Sequence, residues 1–363
     1  MKTIVTFGEI MGRFSPPSFK RFRQSLPGDI NLTFAGAEAN VAASISMLGR
    51  DARFVTAIPN NDVTQALISN LRGLEVDTSE IVLSKSGRLG LYFVEAGANQ
   101  RPSRVIYDRD YSSFSMTPAS AYDWDSIFDG AGWFHTTGIT PSLSEESAKA
   151  TIHSVKKAKA AGLTVSCDLN FRKKLWKWNP NLSSTELACE TMSRLLPYVD
   201  VVIGNEEDAS DILGIHAENT DVHSGKIDAS NYTSVAREIF SQFPNLSTVA
   251  ITLRESFSAS HNNWGAMLYD TSSDYSYFAP LEESHYQPYE IRNIVDRVGG
   301  GDAFAAGLIF ALNEPKLREP QTAIAFAVAS SCLAHSIYGD YNLSTRAEVE
   351  ALLNSGGSGR VVR

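Results

Sequence analysis

Three consecutive glycines followed by an aspartate, Gly299-Gly300-Gly301-Asp302, constrain this chain more than any other stretch. Before them lies a short apolar run, residues 293–295, which reads as a strand. After them Ala303-Phe304-Ala305-Ala306-Gly307-Leu308-Ile309-Phe310 reads as a helix to about residue 312, with Asp302 as its first residue or its cap. Glycines at such a junction admit turns closed to other residues and leave backbone N–H groups uncovered. The helix N-terminus adds a macrodipole that favours an anion. Asp302 is then either a favoured N-cap or a base facing that anion. An anion cradle and a carboxylate within one turn are what phosphoryl transfer to a hydroxyl needs.

The rest of the chain supplies a frame for that junction. Strand patterns at 2–7, 54–58, 164–169, 200–203 and 248–253 alternate with helical periodicity at 41–48, 62–74, 144–161 and 322–337, so the expected class is α/β. Residues 15–28, with Pro16, Pro17 and Pro27, are expected to hold no helix. Segments 89–95 and 104–109 alternate with period two around a Gly/Asn/Pro turn, and are expected to pair as a hairpin. Val105, Tyr107 and Arg109 would share one face of it. Asp168, Asn170 and Arg172 follow one strand, in the place where open α/β sheets put their ligands, and Asn205 to Asp208 follow the next. Each of these groups also has a purely structural reading. Asn40 can cap the 41–48 helix, Asp168 can pair with Arg172, and acids at 206–208 suit a helix first turn. Residues 355–359 read as a flexible tail.

At 363 residues the chain suits one large α/β domain with an appendage. Its formal charge of −9 argues against a nucleic-acid partner and requires any anion site to be a local positive pocket. Cys167, Cys189 and Cys332 form no C-x-x-C, which points to a reduced, cytoplasmic compartment; the first nine residues do not read as a signal peptide. Residues 320–339 carry no formal charge, but Gln321, Thr322, Ser330 and His335 interrupt them, so they read as a core helix and not a membrane span. No G-x-x-x-x-G-K-[ST], H-R-D…D-F-G or H-E-x-x-H occurs, which excludes P-loop, protein-kinase and zinc-hydrolase readings. A dinucleotide fingerprint is weak, because its sixth position is Phe304 and no acid ends a second strand about 20 residues on.

Asp296-x-x-Gly299-Gly300-Gly301-Asp302-Ala303-Phe304 closely resembles the D-x-x-G-A-G-D-x-F signature of the ribokinase-like (PfkB) sugar kinases. Gly300 stands where that family usually has alanine, a change expected to loosen the loop. Other stretches match along nearly the whole chain, and the likeness is greatest to the 2-keto-3-deoxygluconate kinases of the family. The resemblance implies a ribokinase-like three-layer α/β/α core as a single domain over 1–363, with a small β-sheet lid from about 10–35 and 88–112. It implies an ATP-dependent sugar kinase using Mg²⁺, with Asp302 as base and the backbone at Gly299, Gly300 and Gly301 holding phosphoryl charge. Gly36 and Asn40 resemble part of a G-G-x-x-x-N loop whose first glycine is here Ala35. With Tyr92, Tyr107 and Arg109 of the lid and the D-x-N-x-R residues Asp168, Asn170 and Arg172, they would face the sugar. Asn205 and Asp208 resemble an N-x-x-E metal motif with a shortened acid that would act through water, Glu207 being the alternative acid. Thr252 and Arg254, with Asn205, Gly299 and Gly301, would contact the nucleotide, although 252–257 depart from the family's T-x-G-x-x-G.

Aiming Arg109 and Arg172 at a neutral sugar would carry a desolvation cost, and a substrate carboxylate would satisfy them. That favours 2-keto-3-deoxygluconate over fructose or ribose. The alternatives are a fructokinase-type or ribokinase-type enzyme, or a non-catalytic sugar-binding regulator. A homodimer through lid-to-lid packing is expected, because a small sheet buries its apolar face poorly alone.

Overall fold

Neighbouring side chains of strand β1 (Thr3–Phe7) enter different cores. Val5 and Phe7 join one apolar cluster, and Ile4, the neighbour of Val5, joins the other. This is the period of a strand buried on both faces, as a parallel sheet between two helical layers requires. The computed structural model describes residues 2–215 and 229–355, and the same division recurs in its other central strands. In β9 (Val201–Gly204), Val202 belongs to the first cluster while Val201 and Ile203 belong to the second.

Nine strands form the main sheet. β4 (Ala52–Val55), β1, β7 (Ala131–Thr137), β8 (Thr164–Asp168), β9 and β10 (Thr248–Ser258) run parallel. Beyond β10 the sheet turns antiparallel through β11 (His261–Asp270), which pairs with both β12 (Tyr275–Ala279) and β13 (Tyr289–Arg292). On one face lie α1 (Ala37–Met47), α4 (Gly300–Leu312) and α5 (Pro320–Ala334), with Phe310 and Phe326 stacked at 5.4 Å. The other face carries α2 (Glu145–Ala160), whose Ser144 cap accepts from Ser147 N. This is the ribokinase-like fold. No helix among the described residues is long and apolar enough to cross a membrane, and α5 is a buried core helix.

A second sheet has four strands, in the order β3 (Asn31–Ala35), β2 (Met11–Ser15), β5 (Gly90–Glu95), β6 (Arg104–Asp108). It contains the expected hairpin, with Tyr92 opposite Tyr107. Its inner face presents Met11, Tyr92, Val105 and Tyr107 toward the C-terminal ends of the main strands. Its outer face carries an unbroken cross-strand row, Leu32–Phe14–Phe93–Ile106, with Leu32 45% and Ile106 58% exposed.

Several local expectations are corrected. Residues 15–28 do hold one helical turn, Phe22–Ser25, because it fits between Pro17 and Pro27. The 54–58 strand is two strands, Ala52–Val55 in the main sheet and Ala57–Pro59 in a small separate one. The strand before the glycines is Tyr289–Arg292, and residues 293–299 are irregular. The 248–253 strand continues to Ser258, since its hairpin with β11 supplies backbone partners past Leu253. Of the tail, Ser355 ends a helix, Arg346–Ser355, and 356–359 lie outside the described residues.

Candidate active site

Gly299 sits at the N-cap of α4 with φ +83°, and an added Cβ would lie 2.2 Å from Asp340 O. Only glycine meets both conditions. The first helical bond runs from Ala303 N to Gly299 O at 2.8 Å, so the N–H groups of Gly300, Gly301 and Asp302 have no helical acceptor. They sit at the positive end of a thirteen-residue helix. At Gly301 an added Cβ would meet nothing within 4 Å, and glycine there keeps the space beside those donors open. Gly300 is not loosened. It is helical and buried, and its missing methyl leaves room for the His335 ring, whose Cε1 is 3.0 Å from the Cβ position.

Asp302 is the third residue of α4 and not its cap. Its Oδ2 accepts from Asn40 Nδ2 at 2.7 Å, while Asn40 Oδ1 accepts from Gly36 N at 3.2 Å. Asn40 does not cap α1 either, because that helix begins at Ala37 with Gly36 at the cap. The amide aligns the carboxylate instead. Burial pushes the Asp302 carboxyl up to about 7; Asn40 and Arg172 hold it down, while Asp340 and Glu38 raise it. A carboxylate with that affinity accepts a proton at neutral pH far better than an ordinary aspartate.

The end of β8 delivers Asp168, held well above the carboxylate range by burial and by Asp208 and Asp302. Asn170, with φ +39°, turns the chain so that Arg172 reaches the same space. Arg172 Nη1 donates to Phe171 O at 2.9 Å, and Arg172 makes no carboxylate ion pair among the described residues, so the alternative reading, a structural Asp168–Arg172 pair, is absent as a contact. Arg109 differs from expectation. Its Nε donates to Glu9 Oε2 at 2.5 Å, both side chains being buried, so its charge is already compensated. Tyr92 is also engaged, donating to Asp340 Oδ2 at 2.6 Å.

At the other end Asn205 caps α3 (Glu206–Leu213) in a capping box. Its Oδ1 accepts from Asp208 N at 2.9 Å, and Asp208 Oδ2 accepts from Asn205 N at 3.3 Å. Asp208 Oδ1 accepts from Phe171 N at 2.9 Å, and burial lifts its carboxyl to about 6. With both side chains engaged by backbone, a direct ligand set does not form; no group of three or more His, Cys, Asp or Glu among the described residues could hold a metal. The arrangement fits a hydrated Mg²⁺ held through its water shell. Thr252 and Arg254 leave β10 on the same side, where 252–257 remain strand instead of forming a glycine-rich loop.

All the sequence-predicted site residues except Gly300 line one cleft of about 500 Å³ between the two sheets. Four contributors were not anticipated. Arg13 of β2, 1% exposed, donates Nη2 to Asp296 Oδ2 at 2.6 Å and Nη1 to Asp340 Oδ1, tying the lid sheet to both sides of the glycine loop. Asp296, the first residue of the signature, therefore anchors the lid. The partners of Arg13 are 283 and 327 positions away, a separation that leaves no local signal. Arg297, within the signature, lines the cleft as well.

Residues 1–234 match the pfkB family of carbohydrate kinases. The chain belongs to that family. This pfkB kinase is 30% identical over 358 residues to the 2-dehydro-3-deoxygalactonokinase of Haloferax volcanii, covering 98% of each chain. It is 26% identical over 324 residues to the 2-dehydro-3-deoxygluconokinase of Thermoproteus tenax, covering 88% of this chain and 85% of the other. The crystal structure of the 2-dehydro-3-deoxygluconokinase of Thermotoga maritima is similar over 98% of this chain and 100% of that one, with 41% identity and a TM-score of 0.87.

Proposed function

We propose that this pfkB kinase transfers the γ-phosphoryl group of ATP to the terminal hydroxyl of 2-keto-3-deoxygluconate (2-dehydro-3-deoxygluconate), giving 2-keto-3-deoxy-6-phosphogluconate. The observation that carries the chemistry is the Asp302 carboxylate beside three unengaged N–H groups of its own helix. Asp302 takes the hydroxyl proton as that oxygen attacks the γ-phosphorus. The bond from the γ-phosphorus to the bridging oxygen breaks, and ADP leaves. Charge developing on the phosphoryl oxygens is held by the N–H groups of 300–302. Asn205 and Asp208 would hold hydrated Mg²⁺ through water, and the ion would supply charge neutralisation at the phosphates.

The acceptor is inferred from charge and from the relatives. Arg172, at the sugar end, makes no carboxylate ion pair among the described residues, and a substrate carboxylate would bind it directly. Arg109, compensated by Glu9, would add hydrogen-bond donors and no net charge. The two relatives named for acidic sugars of opposite C4 configuration make 2-keto-3-deoxygalactonate the natural competitor. A coupled assay of ADP release with both sugars, fructose and ribose tests this; turnover fastest with a neutral sugar would overturn it.

The chain would act as one domain, with the small sheet as its lid, in the cytoplasm, where Cys167, Cys189 and Cys332 stay free as they are here. The outer row Leu32–Phe14–Phe93–Ile106 would pack on the same row of a second copy. Light scattering should give a dimer at micromolar concentration, and Ile106→Lys a monomer. A wild-type monomer would sink the lid-to-lid arrangement.

A further inference from the structure

Two arginines at the hairpin end of the cleft have no anionic partner among the described residues. Arg254 projects from β10, and Arg297 comes from the irregular segment that leaves β13. Because β10 and β13 both border β11, the sheet itself brings the two guanidiniums toward one region. Arg297 Nη2 donates to Asn262 Oδ1 at 2.9 Å, a neutral acceptor, and Asn262 is 1% exposed. That amide fixes where the guanidinium points without cancelling its charge. Neither arginine makes an ion pair among the described residues. Glu255, beside Arg254 in the chain, accepts from Asn263 Nδ2 at 2.7 Å. The two cations act on one another, since burial and then Arg254 lower the Arg297 proton affinity. Two like charges held together in a chain of net charge −9 call for a multiply charged anion.

We propose that Arg254 and Arg297 form a clamp for the polyphosphate of the phosphoryl donor, at the edge of the cleft where residues 252–257 remain strand. Gly299 and Gly301 line the same cleft, so the clamp and the N–H groups of α4 would hold one phosphate chain from two sides. Donor recognition then depends on the charge of the triphosphate and falls with ionic strength. The identity of the anion rests on the kinase reading above; the existence of the site does not.

The test uses the full chain, with Arg254→Ala, Arg297→Gln and Arg297→Lys. Arg254 is exposed on a strand, and melting curves check that each variant is folded. Sodium tripolyphosphate and ATP are titrated calorimetrically without sugar, at low and high salt. Loss of one charge-assisted contact should weaken both by about 10–100-fold and flatten the salt dependence, with Arg297→Lys retaining part. KM for ATP should rise in step, and KM for the sugar should not. Unchanged ATP and tripolyphosphate binding in Arg254→Ala and Arg297→Gln would overturn the clamp, as would a rise in sugar KM alone. Wild type that binds tripolyphosphate through these arginines but turns over no sugar with ATP would instead remove the kinase reading and leave the clamp.

Discussion

The two ends of the cleft handle their arginines in opposite ways. At the lid end Arg13 and Arg109 are buried, and each is compensated by carboxylates, Arg13 by Asp296 and Asp340, Arg109 by Glu9. At the hairpin end Arg254 and Arg297 have no ion pair among the described residues and are only partly covered. A buried guanidinium without a partner would be costly, so a charge deep in the lid has to be satisfied within the chain. A charge close to water tolerates waiting for a ligand that comes and goes. The lid arginines are thus part of the fold's closure, and the hairpin arginines are free for binding.

The largest expected effect falls where the ends meet. Asp302→Asn keeps the shape and the Asn40 contact but removes the proton acceptor, so kcat should fall roughly 10²–10⁴-fold, while ATP and sugar still bind. Near-full turnover would reduce Asp302 to a helix-start residue. The pH profile sharpens the same point. Because burial holds Asp302 near 7, the group is protonated and inactive below that pH, and kcat/KM should fall on the acid side with a midpoint near 7. Asn40→Ala removes a contact that lowers this value, so the limb should move to higher pH.

Next comes the lid anchor. Arg13→Ala leaves Asp296 and Asp340 buried without their cation, which should cost about 3–5 kcal/mol by denaturant titration. A loss below about 1 kcal/mol, the range of exposed pairs, would break the contrast between the ends. Arg172→Ala should lower kcat/KM for the acidic sugar about 10–150-fold and change fructose little. Arg109→Ala should alter the acidic-to-neutral ratio less, because Glu9 already balances that charge. Equal ratio changes in the two variants would show that the pairing with Glu9 does not decide which arginine reads the carboxylate. The smallest effect is expected at Gly300→Ala. Alanine suits a helix better, yet the methyl presses on His335, which is held by Ser331 O at 2.8 Å, so we expect a net loss of about 1 kcal/mol. Full activity should remain, and His335→Ala in the same chain should remove the penalty.

Much of this molecule was legible in local pattern. Apolar, β-branched runs marked the buried strands, alternation marked the hairpin, and Gly299-Gly300-Gly301-Asp302 marked the helix start whose N–H groups lack helical acceptors, because period, glycine and helix geometry act over a few residues. Neighbours along the chain therefore determined the α/β class and the junction at α4, while most of the residues that reach the cleft were legible only through their resemblance to family motifs. Tertiary structure alone decided which of those charges were free. Arg109 and Glu9 are 100 positions apart, Asn40 and Asp302 are 262, and Arg13 and Asp340 are 327. It also decided that Asn40 holds the Asp302 carboxylate instead of capping a helix, and that Gly300 makes room for a histidine. The physical reason is common to all of these. Burial and pairing set the cost of a charge, and both depend on what the folded chain brings alongside it, which no stretch of sequence contains.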